Sequence, residues 1–229
     1  MIKSGIDHDA IVKMFSEASA KQGEALRSAV SDATLNALQS RELTMENIKK
    51  VVKSMTQAAS TGAAQNVASP VDVEAMLGKA FAGMDAALLQ AVEANHKALQ
   101  QFVGQGAALQ DKQMKSAIAN IEKMEDMFFA TVTKAAQGVS EPMQGPWSHV
   151  LEAMKLKGTG TGAQATQSVE QLVAQAQTAL RDGRATTAKT AQAMMDSYAA
   201  LVSGVLIGMS QGLQSGGGAA APRGKTAKK

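Results

Sequence analysis

The chain has 229 residues, and although 45% are hydrophobic, alanine supplies 43 of them and aromatics are only 3% of the whole, so large core-forming side chains are scarce. With no cysteine there can be no disulfide framework, no thiolate metal site and no cysteine nucleophile. The formal charge of +3 divides into +4 on the last sixteen residues and 3 − 4 = −1 on the rest, so the basicity belongs to the tail.

A compact enzyme-sized core is hard to fill from such residues, whereas stacked or surface-bound helices need only an apolar stripe. The expected class is all-α: long amphipathic helices in a hairpin, bundle or coiled-coil-like arrangement, with a flexible C-terminal tail. Asp7 and Asp9 follow Met1 with no apolar run of the secretory kind, and the chain reads as cytoplasmic.

Residues 1–59 read as an N-terminal helical segment. From about Asp9 to Gln39 the positions Ile11, Phe15, Ala18, Gln22, Leu26, Ala29, Ala33 and Ala37 predict a helix with small residues on its buried side. Ser40 to Thr44 is a break, with Thr44 as N-cap and Glu46 in the first turn of a shorter helix through Val51, Val52 and Met55. Residues 60–69 (STGAAQNVAS) have the composition of a linker.

Residues 70–138 predict one long helix, opened by a capping Ser69, Pro70 at the first helical position and Asp72 in the first turn. Apolar side chains recur there in steps of four, four and three: Leu77, Phe81, Met84, Leu88, Val92, Leu99, Val103, Met114, Ile121, Phe128 and Val132, with polar Asn95 and Glu125 on the same register. An eleven-residue period is about 3.67 residues per turn, so the stripe stays nearly straight and suits a long apolar partner surface. Gly104 and Gly106 should each cost roughly 1 kcal/mol relative to alanine and mark the expected kink. Gly138 is the expected C-terminal stop.

Residues 139–162 read as a turn around Glu141, Pro142, Gly145 and Pro146, then a short helix lined by Trp147, Val150, Leu151 and Met154. Its closing run, GTGTG at 158–162, follows a helix where a dinucleotide cradle would follow a strand, and reads as flexible chain. Residues 163–214 predict a second long helix on the same period, from Val169 through Tyr198 and Val202 to Leu213. Ala200, Gly204, Gly208 and Gly212 form a ladder on a neighbouring face, which would let another helix pack closely. In the tail, 215–229, Arg223, Lys225, Lys228 and Lys229 offer at most a weak, salt-sensitive contact with nucleic acid or an anionic surface.

No chemistry emerges from the polar residues. Gly208 to Gly212 spell G-x-S-x-G, but no acid follows Asp196 and no histidine follows His149, so the serine has no downstream partners and the segment reads as a small-residue helix face. Gly218 to Thr226 imitates a phosphate loop with one residue too many. His8, His96 and His149 fall on separate elements, so no metal is expected, and His96 reads as a boundary or solvent residue. Glu122, Glu125 and Asp126 read as solvated charge. The apolar run from Tyr198 to Leu213 falls short of the roughly twenty residues a membrane span needs, and no cofactor is expected.

The long alanine-, glutamine- and methionine-containing amphipathic segments, Leu77 to Val132 and Val169 to Leu213, together with the absence of cysteine and the alanine-lysine end, resemble the phasins, the small cytoplasmic proteins that coat bacterial polyhydroxyalkanoate granules. That resemblance implies a non-enzymatic, homo-oligomeric helical coat at a granule surface, binding an apolar polymer or lipid through the stripe. Charges placed at Leu88, Leu99 and Ile121 should then abolish surface association. The rival expectation is a helical scaffolding protein whose stripes are satisfied inside its own bundle or oligomer.

Overall fold

The computed structural model describes residues 7–17, 22–66, 70–104, 112–181 and 198–216, and among them every regular element is an α-helix. In chain order they are α1 (His8–Glu17), α2 (Gly23–Gln39), α3 (Met45–Gln65), α4 (Pro70–Gly104), α5 (Lys112–Glu122), α6 (Met124–Gln137), α7 (Glu141–Lys157), α8 (Gly160–Arg181) and α9 (Tyr198–Gly216). The fold is all-α, as the composition implied.

The helix expected over residues 9–39 is two. α1 opens where the Asp7 carboxylate accepts the Ala10 N–H at 3.0 Å, and it packs Ile11 and Phe15 towards α3. Thr44 caps α3 as expected, its Oγ1 accepting the Asn47 N–H at 3.2 Å. The helix then runs through the supposed linker to Gln65, with Ser60, Gly62 and Ala63 buried. A methyl group on Gly62 would overlap the Val12 carbonyl oxygen and the Phe15 Cβ, so the small residues are there because α1 lies against them. Asn66 closes the helix by donating from Nδ2 to the Phe15 carbonyl at 2.7 Å.

α4 begins at Pro70, as predicted; Ser69 lies outside the described residues. Its described part ends at Gly104, and Gly106 of the expected kink lies outside the described residues. The rings of Phe81 and Phe128 lie 4.6 Å apart, centroid to centroid, and Phe81 and Phe129 5.4 Å. On one straight helix Phe81 and Phe128 would be about 70 Å apart. α4 and α6 are therefore not parts of one straight rod, and a turn at Lys123 separates α5 from α6.

α4 is the centre of the molecule, flanked by α2, α3, α5, α7, α8 and α9. Its burial is not confined to the stripe: Ala80, Ala87, Ala91, Ala94 and Ala98 are fully covered as well. Alanine lets neighbouring backbones come close on every side, and at Gly83 a methyl would press on the Arg27 carbonyl and Val30 of α2. The core is thus built from short side chains at close range, which is how so few aromatics suffice.

The turn expected at 141–146 is the start of α7. Pro142 sits in the first turn, where its missing N–H is not needed, and Pro146 forfeits one later helix bond. Burial of Met143 and Trp147 holds this stretch helical, and the indole Nε1–H donates to Ser60 Oγ at 2.8 Å. Of the second long helix expected, the described parts are α8 and α9, and residues 182–197 lie outside the described residues.

Candidate interaction surfaces

The eleven stripe residues do not form an outer surface. Leu77, Phe81, Met84, Leu88, Val92, Leu99, Val103, Met114, Ile121, Phe128 and Val132 are all within 1% of complete burial, each in the single hydrophobic core of the chain. Phe81 from one half of the stripe meets Phe128 from the other, and the apolar surface that would have needed a partner is covered by the chain itself. Even polar Asn95 on this register is satisfied: Tyr198 Oη donates to its Oδ1 at 2.7 Å, while its Nδ2 donates to the Ala91 carbonyl at 2.7 Å. Burial of the phenol pushes its ionisation above the ordinary tyrosine range.

His96 is also inside, not at the boundary expected for it. It is 7% exposed, its Nε2 has no partner among the described residues, and burial, with Lys97 adding to it, holds its ionisation below the usual imidazole value. His149 by contrast is exposed and meets Glu74 Oε2 at 3.1 Å. Among the described residues no three histidine or carboxylate side chains converge as metal ligands do.

The GTGTG run is a fixed structural joint. Gly158 takes the one positive φ, 76°, recorded among the described residues, and ends α7; Thr159 caps α8, its Oγ1 accepting the Gly162 N–H at 2.9 Å. Two carboxylates from distant helices then fill the N-terminus of α8. Asp85 of α4 accepts the Gly160 N–H at 2.9 Å and the Thr161 N–H at 3.0 Å, and Glu125 of α6 accepts the Thr159 N–H at 3.2 Å and its hydroxyl. Unpaired amides and the positive end of the helix dipole favour an anion at this place, and the protein supplies both anions itself. The glycines make room: a methyl on Gly162 would overlap the Glu125 carboxylate, and one on Gly160 would stand 3.2 Å from Asp85 Oδ2. Glu125 is therefore a tie between helices and not solvated charge, whereas Glu122 and Asp126 are exposed.

α9 offers the opposite situation. Val202, Leu206 and Ser210 are buried, with Ser210, the serine of the G-x-S-x-G run, turned inward. Ser203 fastens the helix to the α2–α3 connection, its hydroxyl donating to the Arg41 carbonyl at 3.1 Å and accepting the Leu43 N–H at 2.9 Å. Gly204 and Gly208 lie on the far side, exposed, with nothing within 4 Å of where a methyl would stand. Ala200 and Gly212 belong to the same helix. Beside the glycines Leu201, Val205 and Ile207 are only half-buried, and no charged residue occurs in the nineteen positions of α9. Gly204 and Gly208 of the small-residue ladder thus meet no other described helix.

A second open feature was not foreseen. Between α3 and α6 runs a groove of about 590 Å³ whose rims carry Lys49, Lys50, Lys53 and Lys134 above a floor of Met127, Ala130 and Ala135. Glu46 pairs with Lys50 at 2.6 Å, and that ammonium holds the glutamate carboxyl below its ordinary range. The three α3 lysines stand together in the sequence, but Lys134 comes from a helix 81 residues on, so only folding shows the cluster.

Among the described residues no helix is long and apolar enough to cross a membrane, and the basic tail residues Arg223, Lys225, Lys228 and Lys229 lie outside them. No curated protein and no solved structure matches the chain. Residues 1–215 match the model of a family of unknown function, DUF6781, and the chain belongs to that family.

Proposed function

We propose that the protein is a non-enzymatic helical scaffold that associates with itself through the glycine face of α9. The observation that carries this reading is the contrast between the two apolar features: the long stripe is consumed in the chain's own core, while Gly204 and Gly208 stand open beside half-buried Leu201, Val205 and Ile207. Glycines four residues apart let two helix backbones approach closely, and flanking aliphatic side chains then bury against the partner helix. A second copy presents the same face, so a two-fold pair satisfies both.

The second reading is the coat suggested by the resemblance to phasins, with α9 in place of the stripe as the adsorbing face. An uncharged helix with half-exposed Leu201, Val205 and Ile207 favours it. Leu88, Leu99 and Ile121 are fully buried, so charges there would unfold the bundle and say nothing of adsorption.

Paired substitutions at Gly204 and Gly208 separate the two. Leucine at both positions blocks close helix approach while adding apolar surface; glutamate at both opposes either contact. For self-association, light scattering should give a dimer for the unaltered chain and a monomer for both variants, with helicity unchanged. For the coat, flotation with polyester particles or oil droplets should be kept or improved by leucine and lost with glutamate. A monomer at every concentration that also ignores particles would overturn both.

A further inference from the structure

We propose that the lysine-rimmed groove between α3 and α6 is the docking site of an acidic amphipathic helix from a partner protein. Its charge is one-sided: Lys49, Lys53 and Lys134 make no ion pair among the described residues, and Glu46 answers only Lys50. Its floor is apolar, formed by Met127, Ala130 and Ala135. A partner that fits both must carry carboxylates beside methyl groups.

The walls favour a helix as the form of that partner. Lining positions advance from Glu46 to Gln57 on α3 and from Met127 to Gly138 on α6 in helical steps, which gives each wall about three turns, or roughly 16 Å. Lys49 and Lys53 lie one turn apart on one face, so carboxylates four residues apart on a docked helix would meet both. Past Gln57 and Gly138 the seam continues into a depression of about 540 Å³ lined by His8, Ser60, Thr61, Gln65 and Ser140, where a longer helix could extend.

A nucleic acid fits less well. Among the described residues that line it the groove holds no arginine to clamp a phosphate with two bonds and no aromatic ring to stack a base, and its methyl groups offer nothing to a phosphate backbone. Nor can the C-terminal tail fill it, since the tail's charges have the same sign as the rim.

The test uses the full chain and a fluorescent synthetic helix of glutamate and leucine, with the leucines facing one side, read by anisotropy. Three comparison probes are a serine-for-leucine version of the peptide, an oligothymidylate, and vesicles of phosphatidylglycerol. Lys49→Glu combined with Lys53→Glu should weaken the glutamate-leucine peptide by about tenfold, and adding Lys134→Glu should weaken it further. The pair Lys112→Glu and Lys115→Glu changes net charge equally but lies on exposed positions of α5, outside the groove, and should move binding less than twofold. All these lysines are exposed, so melting curves should match and a loss of binding is not a loss of fold. The proposal is overturned if the peptide fails to bind, if the two pairs weaken it alike, or if the serine version binds as well. Groove-dependent binding of the oligonucleotide or the vesicles without the peptide would assign the site to that other partner.

Discussion

Replacing Asp85 with alanine tests whether the α7–α8 joint is as fixed as its hydrogen bonds indicate. The carboxylate holds two amides, of Gly160 and Thr161, at 2.9 and 3.0 Å. Hydrogen bonds to a charged group contribute about 1.5–3 kcal/mol each, and an anion at a helix N-terminus adds about 0.3–1 kcal/mol. Both bonds share one carboxylate in a half-buried site, and Thr161 Oγ1 keeps its 3.1 Å bond to the Asp85 main-chain carbonyl in the variant, so the lower part of the range applies. The expected loss is about 3–4 kcal/mol. Asp85→Asn should lose nearly as much, because it removes the charge and turns one acceptor into a donor facing an N–H. Urea unfolding followed by circular dichroism measures this, with Asp126→Ala on an exposed site of α6 as the control, expected within about 0.5 kcal/mol of the unaltered protein. A loss at Asp85 below about 1 kcal/mol, or no greater than the control, would refute the claim that this carboxylate organises the start of α8.

Three further outcomes follow from single residues. Gly62→Ala should cost about 1–3 kcal/mol and speed hydrogen exchange in α1, because the methyl meets the Val12 main chain, while Gly78→Ala, with nothing within 4 Å, should stabilise α4 by about 0.5–1 kcal/mol. Tyr198 is the only tyrosine, so the phenolate absorbance reports α9 alone: in the native protein it should rise at a pH above the ordinary value of 10.0 and return to that value in urea. His96 is held neutral by burial, so the unfolded chain takes the proton first; its contribution should be constant above the ordinary value of 6.5 and stability should fall as the pH drops below it. Urea midpoints from pH 8 to 5 should show that slope, and His96→Leu should flatten it.

What could be read from the sequence was local. Thr44 as a cap and Pro70 as a helix start depend on neighbours within a few residues, and each stands where expected. Period marks which residues avoid water, and the eleven stripe residues are buried, but the expectation that they face a partner surface is not met. What covers the stripe was not legible, since a period says nothing of whether the covering surface belongs to the same chain. Small residues misled for a related reason: STGAAQ has the composition of a linker, yet Ser60 receives the Trp147 N–H and Gly62 receives α1, partners 87 and roughly fifty residues away. GTGTG likewise gains its meaning only from Asp85 and Glu125, which no spacing rule connects to it.

The burial of the stripe also decides which surface can act first. Eleven side chains at about 1.5–3 kcal/mol each represent roughly 15–30 kcal/mol of apolar burial, above the 5–15 kcal/mol by which a domain is usually stable. Exposing them to a polymer or lipid therefore means unfolding the bundle. α9 is different: among its described aliphatic side chains only Val202 and Leu206 are completely buried, and Tyr198 and Ser203 tie it to α4 and to the α2–α3 connection. On the proposed function, with either a second copy or an apolar particle as partner, the lowest-cost encounter leaves α4 enclosed and begins at Gly204 and Gly208. A variant with Ser203→Ala and Tyr198→Phe should loosen α9 without opening the core: its hydrogen exchange should approach that of a free helix while amides of α4 stay protected. Exchange rising together in α4 and α9 would show that the helix is an inseparable part of the bundle and that the core opens with it.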